Sequence, residues 1–304
     1  MDTTLLVLAA GMGSRYGGIK QLDRLGPSGE TIMDYSIYDA LRAGFSKVVF
    51  VIRHDFADDF KKIFIDKLKD KTKVEIAYQE LNNVPEGTQI HPERKKPWGT
   101  AHAMLVTKDL IEEPFAVINA DDFYGRQAYQ TMADFLKTQA KPGKNEYAMV
   151  GYKLENTLSE YGSVSRGICK VDSSGYLQSV EEHVKIERND QGKIISYLED
   201  GTEIELPGNA LVSMNFWGFD PSIFDIIQKD FDLFLQKHSR ELKSEIYTPK
   251  VVDDLISRGL GKVKMLSSDA NWFGVTYADD KPKAVENLET LTQNEEYPRN
   301  LWDS

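Results

Sequence analysis

Over its first 153 residues the chain alternates short runs of β-formers with stretches of helical period, and this rhythm constrains the fold more than any other feature. Strand-type runs at 5–8, 48–52, 74–78, 115–119 and 147–152 are separated by helical patterns at 33–41, 56–68, 101–110 and 129–138. Strands alternating with helices form βαβ units, because a parallel partner is reached only by a crossover long enough to hold a helix. The expected core is therefore a largely parallel sheet of about five strands between helices.

After residue 154 the texture changes. Strand-like stretches at 167–171, 177–186, 194–198 and 203–206 are broken by the turn pairs Ser174-Gly175, Gln191-Gly192 and Asp200-Gly201, the pattern of an antiparallel insertion. A buried-type strand at 211–219, helices at 222–235 and 248–257 and a strand at 263–266 then return the chain to the core. With no repeat, low-complexity tract or Pro/Gly/Ser linker, the expectation is one domain over 1–290: a first part at 1–153, an insertion at about 154–210 and a resumed core at 211–290. The polar segment 291–304 is expected as a docked or frayed tail.

Charge narrows the partners. With 48 acidic against 37 basic residues the net charge is -11, so nucleic acid is not an expected partner and any phosphate site must be local. No apolar run approaches the roughly 20 residues that span a bilayer. The first residues lack the pattern of a secretory leader. A lone Cys169 cannot form an internal disulfide. A cytoplasmic chain without membrane contact is expected, and a homo-oligomer is compatible with this composition.

The first strand runs into Leu8-Ala9-Ala10-Gly11-Met12-Gly13-Ser14-Arg15-Tyr16-Gly17-Gly18-Ile19-Lys20-Gln21. A loop at the carboxyl edge of a first strand is where α/β sheets bind ligands; Gly11 and Gly13 let backbone amides approach phosphate oxygens, and Arg15 and Lys20 add charge. A dinucleotide fingerprint would need Gly or Ala where Tyr16 stands, and a Walker loop would need Gly where Ile19 precedes Lys20. Both fail by spacing, and a plain glycine-rich turn does not account for the two cations.

Two further stretches carry chemistry. Gln79 ends a strand, and Trp98-Gly99-Thr100-Ala101-His102-Ala103 opens a helix; a Gln amide can donate and accept on a base edge, while Gly99 leaves room for a flat ring. Taken alone, Gly99 reads as a turn residue and Thr100 as an N-cap. The connection between them, 81–97, is long enough for a lid or binding loop, although its run Arg94-Lys95-Lys96 has the look of a solvated surface. The strand at 115–119 runs into Ala120-Asp121-Asp122, where hard oxygen ligands suit magnesium held with substrate phosphates. One of these aspartates can cap a turn while the other binds metal.

The glycine-rich loop resembles the signature of the sugar-phosphate nucleotidylyltransferase family, Gly-x-Gly-Thr/Ser-Arg with a downstream Lys. The match falls on Gly11, Gly13, Ser14, Arg15 and Lys20. Gln79 with the Gly99-Thr100-Ala101-His102-Ala103 run is similar to that family's base-reading pair, in its uridylyl- and thymidylyl-transferring form. Asp121 falls in register with the metal-binding Asp. Tyr161-Gly162-Ser163-Val164, Glu181-Glu182-His183-Val184-Lys185 and Val212-Ser213-Met214-Asn215 resemble the acceptor half.

The resemblance implies a Rossmann-like (GT-A type) three-layer α/β/α fold with a mostly parallel mixed sheet and an antiparallel β insertion. It implies nucleotide contacts at Ala10, Gly11, Gly13, Ser14, Gln79, Gly99 and Thr100, and sugar-phosphate contacts at Gly162, Glu182, Lys185 (or His183) and Asn215. Arg15, Lys20 and Asp121 would be the catalytic residues, with Mg2+ on Asp121. In the expected reaction a sugar 1-phosphate attacks the α-phosphorus of UTP or dTTP in line and pyrophosphate leaves. The family's late second metal ligand finds no counterpart at Gly274 or Thr276, and the loop departs from the pattern at Gly17-Gly18-Ile19. Lys20-Gln21 is shared with cytidylyltransferases acting on alcohol phosphates, and the incomplete metal site would also suit a non-catalytic nucleotide sensor.

Overall fold

The computed structural model describes residues 2–11, 23–140, 143–160, 162–198, 200–268, 270, 272–274 and 280–303. β1 (Thr4–Leu8) pairs in parallel with β2 (Lys47–Ile52) on one side and β4 (Phe115–Asn119) on the other. β3 (Lys73–Tyr78) continues the parallel order beyond β2. β5 (Asp122–Phe123) is a short spur after β4, and β6 (Glu146–Lys153) closes the first half. The insertion is an antiparallel meander, β7 (Val164–Val171), β8 (Leu177–Arg188), β9 (Ile194–Tyr197) and β10 (Glu203–Glu205). β11 (Leu211–Phe219) brings the chain back, β12 (Lys262–Ser267) pairs in parallel with β6, and β13 (Phe273–Gly274) pairs with β5.

Rather than standing apart, the meander extends the same sheet, in the order β10-β9-β8-β7-β11-β4-β1-β2-β3. The sheet is thus parallel across β3-β2-β1-β4 and antiparallel beyond β11. β11 serves two neighbours on one flank: Val212 and Ser213 pair with β7, Trp217 to Phe219 with β4. Between them the register against β6 slips from Ser213 to Trp217, and Asn215 takes a left-handed φ of 60°. Such a bulge bends the strand and re-aims its side chains. The sheet forks there, and the opening between the end of β4 and the start of β7 is the polar cleft described below.

Side chains alternate across the strands and so feed two layers. Leu5 and Val7 of β1, with Val48, Phe50 and Ile52 of β2, face α1 (Ile32–Ala43), α5 (Arg126–Thr138) and the helical stretch holding α2 (Ala57–Phe60) and α3 (Asp66–Leu68). Leu6, Val49 and Val51 face α4 (Thr100–Leu105), α6 (Ile223–His238) and α7 (Thr248–Ser257). This is the expected three-layer α/β/α arrangement. The large aromatics of β11, Phe216, Trp217 and Phe219, are fully buried, as expected of a buried-type strand. α1 begins at a capping box in which Thr31 Oγ1 accepts from Asp34 N–H and the Asp34 carboxylate accepts from Thr31 N–H, and it ends at Gly44 with φ 90°.

Between α2 and α3 the turn at Lys61–Ile65 is a π-helix, so the helix expected over 56–68 is present but distorted. α8 (Lys281–Gln293) and the segment after it pack Ala284, Leu288, Tyr297 and Leu301 against Leu25, Ile32, Tyr35 and Phe123 in a third cluster. Among the described residues no helix is long and apolar enough to cross a membrane.

Candidate functional site

The glycine-rich loop departs from the carboxyl edge of the parallel strands. Leu8 lies opposite Asn119; Ala9 N–H donates to Val51 O at 2.9 Å and Ala120 N–H to Leu8 O at 3.2 Å. Ala9 and Ala10 are buried, and Gly11 emerges into solvent. Gly13, Ser14, Arg15 and Lys20 lie outside the described residues.

Gln79 follows β3 on the same edge, its N–H donating to Ile52 O at 2.9 Å. The fold brings it onto the start of α4: Gln79 Nε2 donates to Gly99 O at 2.9 Å and meets His102 Nδ1 at 3.2 Å. His102 is fully buried, stacked on Phe231 with ring centroids 4.7 Å apart, and its Nε2 lies 2.8 Å from Asn83 O. Burial holds its pKa down at about 4, so the ring is neutral.

Gly99 rather than Thr100 is the N-cap of α4, with φ 105°. A Cβ there would run into the Ile246 carbonyl, so this glycine answers a close backbone approach inside the protein. Thr100 Oγ1 accepts from Thr248 N–H at 2.9 Å and thereby satisfies an amide at the start of α7.

The fork of the sheet holds a cleft of about 170 Å³ lined by Asn119 and Asp122 from β4 and β5, Arg166 from β7, Glu182 from β8, Asn215 from β11 and Trp272. Glu182 and Asn215, two of the expected acceptor-side residues, thus meet in one place. Lys185 does not join them: it is exposed further along β8, its Nζ 4.5 Å from the centroid of the Tyr197 ring. His183, the alternative cation, is buried in the meander with Nδ1 2.7 Å from Ser196 Oγ. Gly162 sits just before β7, outside the cleft lining.

Two cleft residues stand outside the expected acceptor set, Arg166 with no role expected of it and Asp122 expected as a turn cap or metal ligand beside Asp121. Arg166 is buried; its guanidinium donates to Thr157 O, Thr157 Oγ1 and Ser165 O and lies 4.8 Å over the Trp272 ring. Burial lowers its pKa to about 10, opposed by the nearby carboxylates of Asp122 and Glu182. The signal was available, because period two puts Arg166 on the same face as Val164 and Ile168. Asp122 is the second: Asn119 Nδ2 donates to its Oδ2 at 2.9 Å and Tyr124 Oη lies 3.3 Å away. Asp121, in the turn before it, is half-buried and absent from the cleft lining.

Glu182 opens to solvent, yet the cleft walls raise its carboxyl above the ordinary range against the pull of Arg166 and His183. Gly274 faces Asp122 across the β13–β5 pair, and a Cβ on it would stand 2.8 Å from Asp122 Oδ1. The space a side chain at 274 would need is therefore taken by the neighbouring aspartate.

A three-layer sheet whose parallel strands end at a glycine-rich loop, with a polar cleft where the strand order turns, defines a Rossmann-like nucleotide-handling protein. A family model described as nucleotidyl transferase matches residues 5–288, so the chain belongs to the nucleotidyl transferase family and is an enzyme of that class. It is 24% identical over 291 residues to the UTP–glucose-1-phosphate uridylyltransferase AglF of Haloferax volcanii, covering 94% of this chain and 97% of that one. Its fold is similar to that of the inositol-1-phosphate CTP transferase from T. maritima, with a TM-score of 0.62, 15% identity and coverage of 95% and 96% of the two chains. A UDP-glucose pyrophosphorylase complexed with UDP-glucose gives a TM-score of 0.59 at 16% identity, covering 95% of this chain and 99% of that one.

Proposed function

We propose that the chain joins a sugar 1-phosphate to UTP or dTTP, giving a nucleoside diphosphate sugar and pyrophosphate. The observation that carries this reading is the cleft at the sheet fork, where Glu182, Asn215 and the buried Arg166 converge beside the end of β4. A carboxylate and an amide suit sugar hydroxyls, and a fixed guanidinium offers a positive field to the phosphate they carry. The uridylyltransferase relative of nearly equal length supports the choice of donor.

The sugar phosphate oxygen is already an anion and needs no general base; what the chain supplies is alignment and charge neutralisation. Arg15 stabilises the departing pyrophosphate, Lys20 the transferring phosphoryl group, and the amides around Gly11 and Gly13 the remaining phosphate oxygens. The donor set suits magnesium: Asp121 and Asp122 would hold it, with Asp122 reaching into the space left by Gly274, where the family's late carboxylate is missing. Bound there, the ion would offset the charge of the reacting phosphates.

The deciding experiment is a pyrophosphate-release screen of UTP, dTTP, CTP, ATP and GTP against hexose and hexosamine 1-phosphates, with inositol 1-phosphate as a further acceptor. Release with UTP or dTTP and a sugar 1-phosphate is expected. Release only with CTP and an alcohol phosphate would replace this reading with a cytidylyltransferase, and no release with any pair would make the chain a nucleotide sensor. Arg15→Ala is expected to cut turnover by at least about 100-fold with no change in Tm, and a wild-type rate in that variant would remove Arg15 from the mechanism.

A further inference from the structure

His102 is fully buried in α4 between the buried Ala101 and Ala103, where apolar side chains are the rule. Its hydrogen bonds set it apart. Asn83 O can only accept, so the imidazole nitrogen 2.8 Å from it, Nε2, carries the proton. Nδ1 is then a lone pair and accepts from Gln79 Nε2 at 3.2 Å. The other Gln79 N–H is spent on Gly99 O at 2.9 Å. A flipped amide would turn Oε1 against that carbonyl and against Nδ1, so the orientation is fixed from both sides. Among the described residues no donor meets Oε1. Stacking on Phe231 holds the ring plane, and burial keeps the ring uncharged far below neutral pH.

We infer that His102 is a positioning residue for nucleobase choice: it engages the Gln79 amide so that only the Oε1 acceptor faces the nucleotide, which must answer with an N–H donor, the imide N3–H of uracil or thymine. The inference rests on the reading of this edge of the sheet as the nucleotide site. It changes what Gln79 can do. A glutamine able to donate and accept would tolerate several base edges, whereas an acceptor-only glutamine meets a lone pair at N3 of cytosine and a blocked position in 3-methyluracil. Rejecting a base that leaves a buried polar group unpaired is worth far more than rejecting a missing methyl group.

The test uses the full chain and the variants His102→Asn and His102→Phe, with UTP, CTP and 3-methyluridine triphosphate as donors. Asn places Oδ1 about where Nδ1 stands and can accept from Gln79; Phe keeps the stack on Phe231 and loses both hydrogen bonds. The wild type is expected to prefer UTP over both other donors by at least about 100-fold in kcat/KM. His102→Phe should raise KM for UTP on the order of tenfold, the worth of one hydrogen bond, leave kcat within about threefold, and flatten the UTP preference. His102→Asn should restore it.

An unchanged UTP preference in His102→Phe overturns the inference, as does a wild type that prefers CTP. Imidazole 15N shifts of the free wild type give an answer that needs neither turnover nor a folded variant: a neutral Nε2–H tautomer at pH 7 supports the chain of hydrogen bonds, and an Nδ1–H tautomer or an imidazolium overturns it. A wild type inactive with every triphosphate defeats the functional reading alone, and the 15N shifts still decide the state of the Gln79 amide.

Discussion

At the scale of single residues, glycines mark where this backbone comes closest to itself. Gly99 has φ 105°, and a Cβ on it would press on Ile246, whose backbone N and C lie 2.9 Å from that position. The same contact carries two hydrogen bonds, Ile246 N–H to Trp98 O at 2.8 Å and Ala101 N–H to Ile246 O at 3.2 Å. Gly99→Ala should therefore destabilise the protein by about 3 kcal/mol or more, read as a lower urea midpoint; a loss below about 1 kcal/mol would mean the segment holding Ile246 yields easily. Asp122→Asn tests the other close approach. If magnesium binds there as proposed, keeping the shape while removing the charge should weaken the apparent magnesium affinity by about 10–100-fold and leave Tm nearly unchanged. These roles were unequally legible. Gln79 and Gly99 stand out as a pair because their residue types fit a base site, and the fold brings them together; the His102 link between amide and carbonyl depends on where Asn83 falls in three dimensions. On paper Asp121 is the one in register with the family's metal-binding Asp, and only the β13–β5 register shows that Asp122 is the one facing Gly274.

At the scale of elements, the connection 81–97 was expected as a lid or binding loop, and the structure pins it from within. Arg94, read as part of a solvated charge run, is 4% exposed. Its guanidinium donates to Lys96 O at 2.9 Å, Pro97 O at 3.2 Å, and Glu241 O and Ser244 O at 2.6 Å each, and lies 3.6 Å over the Trp98 ring. Trp98 Nε1 in turn donates to Leu81 O at 3.0 Å and His102 of α4 meets Asn83 O at 2.8 Å, so the loop is tied at one end to α4 and at the other to the segment after α6. Arg94→Ala leaves four carbonyls short of a donor and is expected to cost about 2–4 kcal/mol. Limited proteolysis should then cut within 81–97 while the wild type resists, and Lys at this position should rescue little, because an ammonium cannot reach a fan of acceptors. Equal cleavage of both proteins would return the loop to the mobile class. Sequence alone hid this because a buried arginine and a surface one have the same neighbours in the chain. α8 was missed for a different reason: Ala284, Leu288 and Leu291 give it a helical stripe, but too few apolar residues to stand out from polar surroundings.

At the scale of the whole molecule, the βαβ rhythm made the parallel half readable, and the turn pairs made the meander readable. The joint between them was hidden, since the fork at Asn215 arises from pairing partners more than 40 residues apart. The C-terminal segment shows the same dependence on distant partners. Tyr297 and Leu301 are buried against α1, Trp302 Nε1 donates to Asp34 Oδ1 at 3.0 Å, and Tyr297 Oη donates to Asp39 Oδ2 at 2.6 Å. Burial raises the Asp39 pKa from 3.8 to about 7, despite that hydrogen bond and the charge of Arg42. The folded protein thus keeps a proton that the unfolded chain loses near 3.8, and the stability it contributes is full below that value and lost as pH rises through about 7. His102 acts in the opposite sense. Its folded pKa is depressed from 6.5 to about 4, so stability is lost as pH falls between those values. In their shared window the two slopes offset each other and flatten the stability profile of the wild type. Asp39→Asn removes one of them while leaving an oxygen to accept from Tyr297. The variant should be more stable than the wild type at pH 8 by about 2–4 kcal/mol, about equal to it near pH 4, and should show stability rising with pH across the His102 window. Thermal unfolding from pH 4 to 8 reads this directly; a variant less stable by the same amount at every pH would mean that Asp39 is ionised in the folded protein and that its charge helps hold the tail.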